Sequence, residues 1–198
     1  FVMARHRAEV RREEIVQAAV AVVARLGFAR TRIADVAAEL GVSRALVFYH
    51  SAPKERLLSE AFRHAAQDDL HRLDRIVTGR GTAPDRLAKV LRLYAPTGAA
   101  PGWRLDLDVW GEALRSPELL AASREVDRRW RAAIEQVVTD GVASGEFVCA
   151  GPKEAAERIA VMLDGLGVAT QVRGSVPRAR AARWAAEHAA REVGLSPD

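Results

Sequence analysis

Residues 31–50 read TRIADVAAELGVSRALVFYH, and the fold is decided by how this stretch divides into two short helices. Apolar residues recur at helical spacing in its first half, where Thr31 is placed to act as the N-cap and Gly41 as the C-terminal stop. Ser43 is placed to cap a second helix. Because the link Gly41–Ser43 has only three residues, the two helices cannot lie antiparallel, and we expect them to cross steeply.

A longer helix precedes this pair. Apolar residues recur along one side of it at the spacing of a packed helix, and Gly27 follows as a left-handed C-cap, so we expect it to run from about Glu9 to Leu26. Two short helices that follow a longer one across a tight glycine turn form a helix-turn-helix unit. The apolar residues of the long helix are Ile15, Ala18, Ala19, Val22, Val23 and Leu26.

The third helix carries more apolar and aromatic side chains than its inward face can hold. We expect Val47 and either Ala45 or Tyr49 to face the core. Such a helix displays residues to a partner such as DNA, although many steep helix pairs bind nothing. The side chains expected near the surface are Arg44, Leu46, Phe48 and His50.

The net charge of the chain is concentrated in the same region. Residues 1–64 contain eleven Lys and Arg against seven Asp and Glu, an excess of four that equals the net charge of the whole chain. A basic segment joined to a neutral one indicates a head that binds a polyanion and a body with another task. From charge alone, a solvated helix surface is the alternative. A basic N-terminal arm or a solvated tail would include Arg5, Arg7, Arg11 and Arg12.

The composition favours an all-α protein, because alanine and arginine are abundant and aromatic residues make up only 6% of the chain. The single cysteine, Cys149, excludes an intramolecular disulfide and a multi-cysteine metal site, and it fits the reducing cytoplasm. The most apolar segment, Ile159–Val172, contains Asp164 and is too short to span a bilayer. We therefore expect a cytoplasmic protein without a metal or another cofactor, and not a membrane protein.

Glycine and proline punctuate the rest of the chain. Helix four is expected from Lys54 to about Val77, so that head and body are joined without a flexible linker. We expect a helix-turn-helix DNA-binding domain at residues 1–53 and a helical ligand-binding and dimerisation domain at residues 54–198. Further helices are expected at Ala83–Tyr94, beyond a break at Pro96–Gly102, from Ser116-Pro117 to Gly145, and at about Arg178–Val193.

The body is expected to hold a cavity for a small molecule. Trp103, Leu107 and Trp110 follow one another at helical spacing, and pockets between helices are lined mostly by apolar and aromatic side chains. These three residues are the candidate walls, with an ordinary core as the alternative for each tryptophan. Three acidic residues nearby could orient a cationic group or form a solvated face: Asp106, Asp108 and Glu112.

Two C-terminal segments are more apolar or richer in alanine than a single core face requires. Residues 159–172 are apolar almost all round, and the last helix carries alanine along one side. We expect paired helices of two subunits to form a four-helix interface, with a monomer that buries an unusual helix as the alternative. The candidate interface residues are Leu166, Val172, Ala182 and Ala186.

An enzyme is the second class of function to consider. His64, Asp68 and His71 stand at i, i+4 and i+7 of helix four, a spacing that a metal site could use. The neighbouring residues are charged, and a solvated helix face explains the same pattern. No nucleophile motif, phosphate-binding glycine loop or supported acid pair is present in the sequence. A helical small-molecule enzyme with a nonfunctional DNA-binding head is the alternative function.

The N-terminal region resembles the TetR family of transcriptional regulators. The resemblance runs from Glu13 to Phe62 and includes, at the family's spacing, the turn Gly41–Ser43 and the element Phe48–His50. The family usually has tyrosine at the position of Phe48 and an aromatic residue at that of Ser51. Two later pieces, WGEALRSPEL and DGVASGEF, resemble the C-terminal domain of a subgroup related to choline-responsive regulators.

The resemblance implies a ligand-responsive transcriptional regulator, with repression expected over activation. It would bind a palindromic operator of double-stranded DNA as a homodimer and leave it when a small-molecule effector binds. Near the phosphates the resemblance places Thr31, Arg32, Tyr49, His50 and Lys54. At the major groove, beside the cap Ser43, it places Arg44, Ala45, Leu46 and Phe48. Arginine can bridge guanine O6 and N7 there, and apolar side chains can meet a thymine methyl group.

Overall fold

The computed structural model describes residues 2–51, 53–95 and 101–195, and the side chains of residues 2–10 and of Pro101 lie outside this description. The described ranges contain nine α-helices and no strand, which confirms the predicted all-α fold. The helices are α1 Val2–Leu26, α2 Ile33–Leu40, α3 Arg44–Ser51, α4 Lys54–Val77, α5 Ala83–Tyr94, α6 Pro101–Ala113, α7 Pro117–Ala143, α8 Pro152–Gln171 and α9 Arg178–Glu192.

Most helices end where the sequence predicted. α4 and α5 have the predicted bounds, and Gly27 and Gly41 adopt left-handed φ values of 82° and 66° beyond α1 and α2. α1 begins earlier than the predicted start near Glu9, because the Arg- and Ala-rich residues before it favour a helix without forming an apolar stripe. The predicted break at Pro96–Gly102 falls largely outside the described residues.

The packing divides the chain into two compact units, each made of two stretches. The first unit is Phe1–Gln67 with Arg104–Val126, and the second is Asp68–Trp103 with Asp127–Asp198. Helices α4, α6 and α7 therefore each contribute residues to both units. The boundary expected between residues 53 and 54 separates a DNA-binding domain from a ligand-binding and dimerisation domain, and not one compact unit from the other. This functional boundary stays a prediction.

The first unit is built around the three N-terminal helices. Val22 of α1, Val36 of α2 and Val47 of α3 are fully buried in one apolar cluster, to which α4 adds Leu57. Complete burial of each valine stabilises the fold by about 1.5 to 3 kcal/mol relative to an exposed side chain. This cluster fixes α2 and α3 against α1, so the exposed side of α3 has a defined orientation within the unit.

The second unit is built around α8 and α9, which pack against each other, and α9 also packs against α5. The buried side of α9 carries small residues, Ala181, Ala185 and Ala189, which allow the neighbouring helices to approach closely. On the buried side of α8, Ile159 and Leu163 fill the core. The alanine-rich side that the sequence predicted for the last helix is thus partly a core surface of the subunit.

The described residues contain neither a membrane-spanning helix nor a cluster of metal ligands. Within the described ranges, none of the helices is long and apolar enough to cross a membrane. Among the side chains that the structure describes, His64, Asp68 and His71 do not form a metal-ligating group, and no other cluster of His, Cys, Asp or Glu could hold a metal ion.

Candidate functional sites

Helix α3 presents one side to the core and the other to solvent. Val47 and Ser51 are buried, whereas the side chains of Phe48 and Tyr49 are 63% and 83% exposed. Arg44 and Ala45 are exposed as well. The prediction that Ala45 or Tyr49 faces inward is therefore wrong, because Val47 and Ser51, four residues apart, define the inward line and Tyr49 lies on the opposite side of the helix.

The two ends of α3 are fixed by serine hydroxyl groups. Ser43 Oγ accepts a hydrogen bond from the Leu46 N–H at 3.2 Å, which confirms its predicted role as the N-cap. Ser51 Oγ donates to the Val47 carbonyl at 2.6 Å, so this buried hydroxyl is satisfied within its own helix. A small residue therefore occupies the place where the TetR family usually has an aromatic ring.

Thr31 does not have the role that the sequence predicted. Its side chain is 1% exposed, and its hydroxyl group donates to the Gly27 carbonyl at 2.7 Å. The N-cap of α2 is Arg32, whose N–H donates to the Asp35 carboxylate at 2.8 Å. Thr31 thus closes the turn after α1 and has no exposed surface with which to contact a phosphate, whereas the neighbouring Arg32 is exposed.

The other residues predicted near phosphates lie at the surface of the first unit. Tyr49 packs edge-on against the His50 ring with centroids 5.0 Å apart, which orients both side chains. Lys54 is half-buried at the first residue of α4, where the free N–H groups of a helix N-terminus favour an anion. In the proposed N-terminal arm, Arg11 pairs with Glu14 and Arg12 pairs with Glu60, while the Arg5 and Arg7 side chains lie outside the described residues.

The candidate ligand residues of α6 fall into different units. Trp103 belongs to the second unit, is 8% exposed, and donates from Nε1 to the Tyr94 carbonyl at 2.7 Å. Its ring also packs on Gly167, where a Cβ atom would overlap the indole. Leu107 and Trp110 belong to the first unit, where both are half-buried. Within the second unit, the partners of Trp103 are thus residues that the sequence did not single out.

Three aromatic rings form a cluster in the second unit. Tyr94 packs edge-on against Trp103, with centroids 5.8 Å apart, and against Trp130, with centroids 4.7 Å apart. The Tyr94 hydroxyl donates to Asp164 Oδ1 at 2.6 Å, which brings a carboxylate to the aromatic cluster of Tyr94, Trp103 and Trp130. Sequence periodicity missed this arrangement, and its only signal was the lone acidic residue inside the apolar segment 159–172.

The carboxylate of Asp164 lies in an environment that disfavours its own charge. Burial raises the pKa of Asp164, although the hydrogen bond from Tyr94 acts in the opposite direction. The nearest cation, Arg131, donates from Nε to both Asp127 carboxylate oxygens at 2.9 and 2.8 Å, and its Nη2 lies 3.8 Å from Asp164 Oδ2. Two carboxylates therefore share one guanidinium group. The group formed by Asp127, Arg131 and Asp164 has a formal charge of −1 when both carboxylates are ionised.

Two of the acidic residues considered for a cationic ligand have other partners. Asp108 accepts a hydrogen bond from the Phe28 N–H at 2.7 Å, and Glu112 pairs with Arg115 at 2.6 Å. These contacts lie within the first unit. Asp164 of the second unit, by contrast, accepts a hydrogen bond from an aromatic residue, Tyr94.

The four candidate interface residues lie in different surroundings. Leu166 is 4% exposed and belongs to the core of the subunit, so its predicted place at a dimer interface is wrong. Ala182 and Ala186 line a groove of about 470 Å³ between α9 and α5 of the same chain. Val172 is 65% exposed, and its place at a dimer interface stays a prediction. The apolar character of α8 on all sides concealed which of its residues face inward.

Helix α8 carries an exposed apolar stripe along its outward side. Val161 is 60% exposed, and Val172, the C-cap residue that directly follows α8, is 65% exposed. The exposed Gly165 and the half-buried Val168 complete the stripe at helical spacing. A Cβ atom added to Gly165 would meet no atom of the subunit within 4 Å. Trp184 of α9 adds a further apolar side chain that is 37% exposed.

Two family models match the chain. Residues 15–61 match the model for bacterial regulatory proteins of the tetR family, and residues 83–194 match the C-terminal model of the BetI-type transcriptional repressor. The chain belongs to the TetR family. The resemblance noted in the sequence and the expected function as a transcriptional regulator are confirmed, and both fold and family are those of regulators rather than enzymes.

The chain is similar to several proteins of known structure or function. A transcriptional regulator from Saccharomonospora viridis in complex with choline is 28% identical, with 92% of this chain and 95% of that chain covered and a TM-score of 0.75. The regulator FadR from Bacillus subtilis in complex with stearoyl-CoA is 18% identical, with 91% and 97% covered and a TM-score of 0.69, which shows the fold alone. The fatty acid metabolism regulator protein of Bacillus subtilis strain 168 is 24% identical over 135 residues, which are 68% of this chain and 69% of that protein.

Proposed function

We propose that this TetR-family regulator is a repressor that binds a palindromic DNA operator as a homodimer and leaves it when a small organic cation occupies the body. The observation that carries the DNA-binding part is the outward side of α3, which displays Arg44, Phe48 and Tyr49 while Val47 and Ser51 anchor the helix. Residues 1–53 serve as the DNA-binding domain, and residues 54–198 bind the effector and the second subunit. Because its partner is DNA, the protein acts in the cytoplasm.

The two kinds of DNA contact are assigned by chemistry. Arg44 reads a guanine through O6 and N7, and Ala45, Leu46 and Phe48 contribute apolar contacts to base edges. The residues proposed to contact phosphates are Arg32, Tyr49, His50 and Lys54, which can each donate a hydrogen bond to a phosphate oxygen. Ser43 stays in the interface as the cap that fixes the N-terminal end of α3. Thr31 is left out of this set because it is buried.

Arg44→Ala is expected to weaken specific operator binding by about 1 to 3 kcal/mol and to relax the preference at one base position. Lys54→Ala is expected to weaken binding to all duplexes similarly. The slope of log affinity against log salt concentration is expected to decrease by about one, the value for one phosphate contact. Both variants are measured by fluorescence anisotropy, with the operator selected from genomic fragments by the wild-type protein and with an unrelated duplex of equal length.

Arg115→Ala is the matched control for both substitutions. This arginine is exposed, pairs with Glu112 on the surface and has no proposed DNA contact, so its loss should leave operator affinity unchanged. If Arg44→Ala lowers the affinity for operator and for unrelated DNA by the same factor, the assignment of Arg44 to base reading is wrong.

The homodimer is proposed to form along the outward side of α8. The exposed stripe of Val161, Gly165, Val168 and Val172 repeats every three to four residues, as a helix that packs on a symmetry-related helix requires. Gly165 would permit a close approach of two backbones, and Trp184 extends the apolar area. A twofold dimer presents two α3 helices to two half-sites, which matches a palindromic operator.

The effector is proposed to be a small organic cation that binds at the aromatic cluster. Aromatic faces attract quaternary and protonated amines, and the carboxylate of Asp164 supplies the counter-ion. Burial raises the pKa of Asp164, and a bound cation would favour its ionised form. The regulator from Saccharomonospora viridis, at 28% identity, was solved with choline, and this supports a ligand of the same class. An anionic ligand would be repelled by the charge of the cluster.

A further inference from the structure

The side chain of Asp108 joins α6 to the turn between α1 and α2. Its Oδ2 atom accepts a hydrogen bond from the Phe28 N–H at 2.7 Å, across 80 positions of sequence. The carboxylate also lies against Gly27, where a Cβ atom would come within 3.0 Å of Oδ2. Gly27 has a φ of +82°, so its left-handed conformation and the close carboxylate both disfavour a larger residue. Asp108 therefore holds a backbone position that has little freedom to shift.

The turn held by Asp108 leads directly into the helices that carry the DNA-binding residues. The Gly27 carbonyl accepts hydrogen bonds from both the hydroxyl and the N–H of Thr31, at 2.7 and 3.2 Å. Arg32 follows as the N-cap of α2, and the Gly41 turn joins α2 to α3. A displacement of the turn at Phe28 would thus pass through hydrogen bonds and short covalent links to α3.

The Phe28 side chain couples the same turn to α4. It is 1% exposed and packs edge-on against Phe62, with ring centroids 6.2 Å apart. The backbone of Phe28 is therefore held by α6 and its side chain by α4. A hydrogen bond to a charged acceptor is about twice as strong as one to a neutral acceptor. The bond from the Phe28 N–H to Asp108 is therefore a strong polar constraint on this residue.

We propose that Asp108 is a positioning residue for DNA recognition: through its bond to the α1–α2 turn, α6 sets the orientation of α3. The proposal rests on the proposed function, because it requires that α3 bind an operator. Asp108 itself is not among the residues proposed to contact DNA. Leu107 and Trp110 lie on the same helix and in the same unit, so a movement of α6 at these residues would reach the operator-reading helix through this bond.

The test compares Asp108→Ala with Asp108→Asn. Loss of the acceptor in Asp108→Ala is expected to lower operator affinity about tenfold, because the Phe28 N–H is left unsatisfied and the turn shifts. The slope of affinity against salt concentration is expected to stay at the wild-type value, since no phosphate contact is removed. Asp108→Asn keeps an oxygen acceptor at the same position and is expected to retain affinity within about threefold. Glu112→Ala, on the same helix, is the control and should bind as the wild type does.

Hydrogen exchange of the Phe28 amide reports on the bond itself. Exchange should accelerate in Asp108→Ala and stay slow in Asp108→Asn. If Asp108→Ala melts below the assay temperature, Asp108→Glu takes its place in the experiment. Its additional methylene group displaces the carboxylate from the Phe28 N–H, so we expect the same loss of operator affinity. The inference would be overturned if Asp108→Ala accelerated the exchange but kept its operator affinity, or if Glu112→Ala lost as much operator affinity as Asp108→Ala. Neither result would refute the proposed function. A wild-type protein that binds no operator would refute the proposed function and this inference together.

Discussion

Replacing Val161 and Val172 together by aspartate is expected to dissociate the dimer and to lower operator affinity by about 100-fold or more. Both side chains are more than half exposed on the outward side of α8, so the substitutions leave the core of the subunit intact. Four carboxylates would face one another across a twofold interface, where like charges without partners are strongly unfavourable. Each monomer then binds one half-site only. It loses the increase in affinity that comes from binding two half-sites at once, which is about 10²- to 10⁴-fold for linked modules.

The measurement is sedimentation velocity beside operator anisotropy at the same protein concentration. Val148→Asp is the matched control, because Val148 is 81% exposed in the same unit and lies outside the stripe. A double variant that remains dimeric, or a folded monomer that binds the full operator with wild-type affinity, would rule out this interface. Aspartate at Leu166 would instead test the core, since that side chain is buried within the subunit.

Substitutions at the aromatic cluster are expected to cause the second large effect, a loss of choline affinity. Asp164→Asn should lower choline affinity by about 30-fold or more, because it removes the counter-ion while an amide oxygen can still accept from the Tyr94 hydroxyl. Trp130→Ala should lower it by about 3- to 30-fold through the loss of a cation–π contact. Isothermal calorimetry with choline measures both variants. Asp74→Asn, which alters a surface ion pair with Arg129 in the same unit, is the control. Unchanged choline affinity in Asp164→Asn would refute the effector site.

The dependence on pH follows from the same carboxylate. Choline keeps its charge at every pH, so only the protein titrates, and the facing ionisable groups are Tyr94, Arg131 and Asp127. Because burial raises the pKa of Asp164, choline affinity should fall as the pH is lowered through that pKa, at a higher pH than an ordinary aspartate would require. In Asp164→Asn this dependence should disappear.

Local sequence signals predicted the helices more fully than the contacts between them. The bounds of α4, the cap Ser43 and the left-handed Gly27 and Gly41 follow from rules that act within a few residues. Leu166 was misplaced because α8 is apolar nearly all round, so its periodicity does not show which side faces the core. Thr31 was misplaced because a cap residue at a tight turn can serve the helix before it as well as the helix after it.

The polar contacts that define the candidate sites join residues far apart in the chain. Tyr94 reaches Asp164 across 70 positions and Phe28 reaches Asp108 across 80, and nothing in either local pattern names the partner. Trp103 was selected for its helical spacing with Leu107 and Trp110, yet its ring packs against Tyr94 of α5, which in turn packs against Trp130 of α7. Such pairings depend on how helices pack, which a single sequence without an alignment does not specify.

If effector and operator weaken each other's binding through the protein, choline affinity must differ between free and operator-bound protein, and calorimetry with choline measures both. Helices α4, α6 and α7 each contribute to both compact units, which gives binding in one unit a covalent path to the other. We expect bound operator to weaken choline binding by about 5- to 150-fold, and choline to weaken operator binding by the same factor, because the coupling free energy is reciprocal. Equal choline affinity for free and operator-bound protein, or no choline binding at all, would contradict it.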